Sequence, residues 1–190
     1  MLKISSLTVE HLSEGCVTDK PDPGISFRLT SDRQNVNLKK AKLTVNGWTE
    51  ETDSQILIPY RGNALQPFTM YQVNVTAEDD AGETAQAAVS FETGRMGISD
   101  GAYSFTEKKV SPVPMMFRKK IKCTKNVREA KLYATALGIY ELAVDGKKVG
   151  DRYFAPGFTS YKHEMQYQVY DVTDMLTGDN TLTAVVAGGW

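Results

Sequence analysis

Neighbouring carboxylates come first, because two carboxyl groups held across a glycosidic bond suffice to hydrolyse it, roughly 6.5–9.5 Å apart for inversion and closer for retention. Glu50-Glu51 and Asp79-Asp80 are such pairs. Adjacent residues on a strand point to opposite faces, and both pairs fall in turn-like polar clusters, so they read as solvated turns. Asp145, Asp151, Asp179 and Asn180 form a second group, each beside or close to a glycine. Oxygen ligands on loops suit Ca2+ or the hydroxyls of a sugar. The same residues also suit purely structural roles: Asp145-Gly146 as a tight hairpin turn with positive φ at both positions, Asp151 as a loop cap, Gly178-Asp179-Asn180 as a second hairpin signal. No Asp-x-Asp-x-Asp-Gly calcium loop is present. Phe158, Tyr161, Tyr167, Tyr170, Trp48 and Trp190 could stack on the apolar face of a sugar, although such rings more often pack a core. His11 and His163 are the only histidines, and neither has Cys or His partners at zinc-ligand spacing. There is no phosphate-binding glycine loop and no Gly-x-Ser-x-Gly elbow.

The elements that must position these residues are short β-rich runs separated by Gly, Pro, Asn and Asp, with almost no helical periodicity. In the first half, strands are predicted near Lys3–Val9 and at Ile25–Leu29, Ala41–Val45, Gln55–Pro59, Tyr71–Ala77 and Ala87–Thr93. Six or seven strands in about 95 residues suit an immunoglobulin-like or fibronectin type III sandwich. Three glycines in the eight residues from Gly94 to Gly101 break the pattern and mark a boundary. Beyond it, strands are predicted at Met115–Ile121, Val127–Ala136, Ile139–Val144, Met165–Val172 and Asn180–Val186. The expected architecture is all-β, with two β-sandwich modules at residues 1–96 and 97–190.

Composition narrows the partners. The chain has 190 residues, 41% hydrophobic and 24% charged, a balance that fits a globular protein and neither a disordered nor a membrane one. Its formal net charge is −1, from 22 basic and 23 acidic residues, so neither nucleic acid nor a membrane surface is indicated. The one basic cluster, from Arg118 to Lys125, reads as the solvent face of a strand and its turn. Cys16 and Cys123 lie in different expected modules, and two unpaired thiols fit a reducing compartment. The first residues alternate like a strand and lack the apolar core of a signal peptide. With Met1 as the start, a cytoplasmic location is expected.

Ordered motifs then add a resemblance. Tyr140-Glu-Leu-Ala-Val-Asp-Gly-Lys-Lys-Val-Gly-Asp-Arg-Tyr-Phe-Ala-Pro-Gly-Phe-Thr-Ser-Tyr161 is followed by Tyr167-Gln-Val-Tyr-Asp-Val-Thr173, Gly178-Asp-Asn-Thr-Leu182 and Gly188-Gly-Trp190. This succession resembles the N-terminal β-sandwich domain of bacterial α-L-rhamnosidases, with Ala187 where the family's last element has its first Gly. Met115-Met-Phe-Arg-Lys-Lys-Ile121 resembles the entry strand of that domain, with Ile121 in place of Phe. Upstream, the stretch from Tyr60 to Val75 and Phe91-Glu-Thr-Gly94 resemble the fibronectin-like module that precedes it in many rhamnosidases.

The resemblance implies a fibronectin type III-like module followed by an incomplete jelly-roll-like sandwich, in a fragment lacking the catalytic barrel. It implies a parent enzyme that hydrolyses terminal α-L-rhamnose in rhamnose-containing glycosides, with inversion and no organic cofactor. The acid and base of that family lie on the barrel, so no catalytic residue carries over. Some related modules bind a terminal sugar with calcium. The corresponding candidates here are Asp145 and Asp179 for calcium, and Asp145 and Asn180 for sugar. The fragment is expected to brace its missing catalytic domain, to be inactive alone, and to self-associate through a sheet edge exposed near Val185, Val186 and Trp190. The reading from a different class is a non-enzymatic carbohydrate-binding or adhesion protein built from tandem sandwiches.

Overall fold

The computed structural model describes residues 1–97, 113–124 and 126–189. Trp190, Lys125 and the last residues of the expected boundary lie outside them. The chain divides into two compact units, Met1–Ala102 and Tyr103–Trp190. Among the described residues the only helix is the three-residue 3-10 turn Thr173–Met175, and none is long and apolar enough to cross a membrane. The all-β expectation holds.

In the first unit, β1 (Lys3–Val9), β3 (Gly24–Thr30) and β6 (Ile58–Pro59) form a three-stranded sheet. A five-stranded sheet runs in the order β2 (Cys16–Thr18), β8 (Thr84–Thr93), β7 (Met70–Asp79), β4 (Leu38–Val45), β5 (Trp48–Thr52). Two-residue alternation explains how they pack. On β7, Tyr71, Val73, Val75 and Ala77 are buried while Gln72 and Asn74 face water, and the opposing sheet supplies Leu7, Val9, Ile25 and Phe27 to the same core.

Two expectations need correction here. The strand predicted over Gln55–Pro59 is reduced to Ile58–Pro59 because Leu57 has a φ of 48°, which breaks an extended run. Gln55 still engages β3: its carbonyl accepts from Phe27 N at 2.9 Å and its side-chain Oε1 from Leu29 N at 3.2 Å. The strand β2 was not foreseen, nor was β5. Asn46-Gly47, with φ of 45° and 82°, turns β4 into it as a second tight hairpin.

In the second unit, a four-stranded sheet has the order β12 (Lys147–Lys148), β11 (Ile139–Val144), β14 (Asp179–Ala187), β9 (Met115–Lys122), while β10 (Lys131–Ala134) and β13 (Gln168–Asp171) form a separate ribbon. Tyr140, Leu142 and Val144 of β11 and Leu182, Ala184 and Val186 of β14 share a cluster with Leu132, Ala134 and Tyr170 of the ribbon. Both ribbon strands are shorter than predicted. At one end Thr135 Oγ1 donates to Gln166 O at 2.6 Å, so a side chain replaces the backbone ladder. The Asp145-Gly146 turn joins β11 to β12 with φ of 48° and 79°, both positive as expected.

Candidate functional site

Glu50 and Glu51 lie on strand β5, not in a turn, and alternation sends them to opposite faces. Asp79, expected to be solvated, has a fully buried side chain. It closes the β7–β8 hairpin: Oδ1 accepts from Ala81 N at 2.9 Å and Glu83 N at 2.8 Å, and Oδ2 accepts from Arg33 Nη2. Burial by itself would raise its pKa, but the two backbone donors and the Arg33 guanidinium outweigh that and hold it low.

Of the four loop candidates, Asp145 and Asn180 are brought together. Asn180, 3% exposed, donates through Nδ2 to Asp145 Oδ2 at 2.7 Å and accepts at Oδ1 from Thr177 N at 3.1 Å. Asp145 Oδ1 accepts from Thr181 N at 2.6 Å, and Asp145 N donates to Thr181 O at 2.9 Å. The Asn180 amide, and next the Thr181 N–H, hold the Asp145 carboxyl below its ordinary pKa. Both Asp145 oxygens are thus engaged in fastening the hairpin tip to the start of β14. Asp179 lies one residue from Asn180 on β14 and faces the other side, exposed. Asp151 is also exposed. Among the described residues no three His, Cys, Asp or Glu side chains converge on a point that could hold a metal ion.

The aromatic candidates divide. Trp48 packs edge-on against Tyr60, with ring centroids 5.0 Å apart. Tyr167 and Tyr170 are half-buried, and Tyr161 accepts a hydrogen bond from Gly138 N at 3.0 Å through its hydroxyl. Phe158 is largely exposed. Cys16 is buried, and desolvation, with the Glu10 charge adding to it, pushes its thiol up to about 11, so it stays protonated.

One cluster was missed from sequence. Tyr140 N donates to Ala155 O at 2.8 Å, which lays Arg152–Phe154 beside β11. Lys148 Nζ then stands 3.9 Å from the Tyr153 ring centroid and 2.9 Å from Glu141 Oε2. Arg152-Tyr153-Phe154 was read only as part of a longer motif. The available signal was a basic residue and two adjacent aromatics in a loop, following a hairpin with a lysine in its return strand.

The model described as "Alpha-L-rhamnosidase N-terminal domain" matches residues 125–190, and that described as "Rha78A-like, N-terminal immunoglobulin domain" matches residues 4–97. An alpha-L-rhamnosidase of Formosa agariphila is 28% identical over 156 residues, covering 74% of this chain and 17% of that protein. The native rhamnosidase structure from Aspergillus terreus superposes with a TM-score of 0.81 at 28% identity, over 100% of this chain and 24% of its own. That from Dictyoglumus thermophilum gives 0.85 at 27%, over 98% of this chain and 25% of its own. The chain therefore spans about a quarter or less of the length of these relatives.

Proposed function

Because the chain carries the two N-terminal β-modules of the alpha-L-rhamnosidase family, we propose that it is the non-catalytic part of an enzyme that removes terminal α-L-rhamnose from glycosides with inversion. Its work there is to brace a catalytic domain that it does not itself contain. The observation that carries this reading is coverage: essentially the whole chain superposes on about a quarter of each of two rhamnosidases. Its own carboxylates support the non-catalytic assignment, since Asp79 and Asp145 are engaged in closing hairpins.

The test compares the chain with a longer protein in which it is joined to the catalytic domain of an alpha-L-rhamnosidase. The longer protein should release 4-nitrophenol from 4-nitrophenyl α-L-rhamnoside, and the purified chain should not. Removing residues 1–190 from the longer protein should lower both its melting temperature and its turnover. Unchanged melting and turnover would remove the bracing role. Hydrolysis by the chain alone, abolished by substituting one of its own carboxylates, would overturn the non-catalytic assignment.

A further inference from the structure

At the end of the four-stranded sheet near Ile139 the outward face of the second unit is apolar, whereas farther along it carries Thr183, Arg118, Thr181 and Lys120. Alternation sends Tyr140, Leu142 and Val144 into the core, and therefore sends Ile139, Glu141 and Ala143 outward. Register carries this face across the sheet, with Val185 opposite Glu141 on one side and Met116 on the other. Met116 is 64% exposed. On the same face lies a hollow of about 220 Å3, with Ile139 and Val185 in its floor and Glu141, Arg152 and Tyr153 around it.

Tyr153 is 78% exposed, but its ring is held in place. The Lys148 ammonium sits over it at 3.9 Å from the centroid and is anchored to Glu141 at 2.9 Å, an arrangement in which the π-face attracts the cation. Lys148 covers one face of the ring, and the residue is otherwise largely open and lines the hollow. Lys148, Arg152 and Glu141 together carry one net positive charge, so the hollow suits a neutral or weakly acidic ligand, to which Glu141 offers an acceptor and Arg152 several donors. The apolar floor disfavours a pyranose, whose hydroxyls would lose water there without partners. A planar aromatic ring meets both conditions, stacking on Tyr153 and presenting hydroxyl substituents to the charged pair. There is room for one, since an apolar cavity of about 150 Å3 already takes benzene.

We infer that this hollow holds the aromatic aglycone of an aryl glycoside, so that this module selects on the leaving-group side of the substrate. The inference rests on the reading of the chain as part of a glycoside-cleaving enzyme. It does not require that the chain brace anything.

Binding is measured on the 190-residue chain by saturation-transfer NMR and titration calorimetry. The probes are 4-nitrophenyl α-L-rhamnoside, 4-methylumbelliferone and methyl α-L-rhamnoside. The two aryl compounds should bind in the millimolar range, and methyl α-L-rhamnoside should neither bind nor compete. Tyr153→Ala should weaken aryl binding about tenfold or more, and Tyr153→Phe, which keeps the ring, should not. Arg152→Met should weaken the phenolic probe, 4-methylumbelliferone, with an unchanged circular dichroism spectrum, and it serves as the second variant should Tyr153→Ala disturb folding. No aryl binding at about 10 mM, aryl binding unaffected by both variants, or equal competition by methyl α-L-rhamnoside would overturn the inference. Bracing is read on the longer protein and binding on the chain itself, so either can fail while the other stands.

Discussion

The two units close their cores to different depths. In the first, Val9, Ile25, Leu43, Val45 and Val73 are all 0% exposed, whereas among the described residues of the second the most buried apolar one is Val144 at 3%. Among the described residues, five strands facing three cover one another, whereas the two-stranded ribbon leaves β14 from Thr181 to Ala187 half-buried throughout. The second unit leans correspondingly on polar fastenings. Tyr140 donates from its hydroxyl to Gln168 Oε1 at 2.7 Å, and burial together with the Tyr170 hydroxyl pushes its phenol far above the usual range. The difference teaches that similar alternation patterns yield unequal cores, because alternation sets which face is apolar and not how much of it the opposing sheet covers.

Truncating equivalent leucines breaks or sharpens this contrast most directly. Leu43→Ala should cost about 2–5 kcal/mol, while Leu182→Ala, already half-solvated, should cost about 1–2 kcal/mol. Urea denaturation of the two variants measures both, and equal losses would mean that the second core is as closed as the first. Within the second unit, backbone geometry sets the next effect. Gly138 has a φ of +125°, and a Cβ there would lie 2.3 Å from the Ala187 carbonyl oxygen. Gly146 has a φ of +79° with nothing within 4 Å of an added Cβ. Gly146→Val should therefore cost only backbone strain, on the order of 1–3 kcal/mol. Gly138→Ala should cost more despite its smaller side chain, because it also forces β11 and β14 apart. Thermal melts that rank the two the other way would show that the β11–β14 junction can yield.

Much of this arrangement was legible in the sequence, for identifiable reasons. Tyr71–Ala77 alternates over seven residues with one side apolar, so β7 and its buried face could be placed, and Asp145-Gly146 announced its turn because both positions need positive φ. Trp48–Thr52 was missed because Trp-Thr-Glu-Glu-Thr shows no apolar alternation. Its strand character comes from pairing with β4 after Asn46-Gly47. Cys16–Thr18 is too short to show a period at all. The candidate site was less legible still. Asp79 reads as a surface turn residue; its backbone donors Ala81 and Glu83 lie in its own turn, and only the fold brings Arg33 to it from a distant segment. Tyr153, Lys148 and Glu141 meet across a hairpin and a loop, a convergence that no local pattern encodes.

The smallest expected effect compares those two hairpin carboxylates. Asp79 is buried with a cationic partner, and Asp145 is exposed with neutral donors. Both have folded-state pKa values below the ordinary one. A lowered carboxyl pKa means that the unfolded chain binds the proton first as pH falls, so each contribution to stability is complete above the unfolded value of about 3.9. It is lost as pH drops through the lowered folded value. Asn in place of either Asp keeps the shape and removes the titration. Stability measured from pH 7 down through this acid window should therefore fall less steeply in Asp79→Asn than in the parent, and only slightly less steeply in Asp145→Asn, where solvent screens the exposed carboxylate. The order follows from depth and from the Arg33 charge, because donors act more strongly on a carboxylate that water cannot reach. Equal flattening by the two substitutions would show that the Asp79 pocket admits water, and that the first unit is less closed than its core suggests.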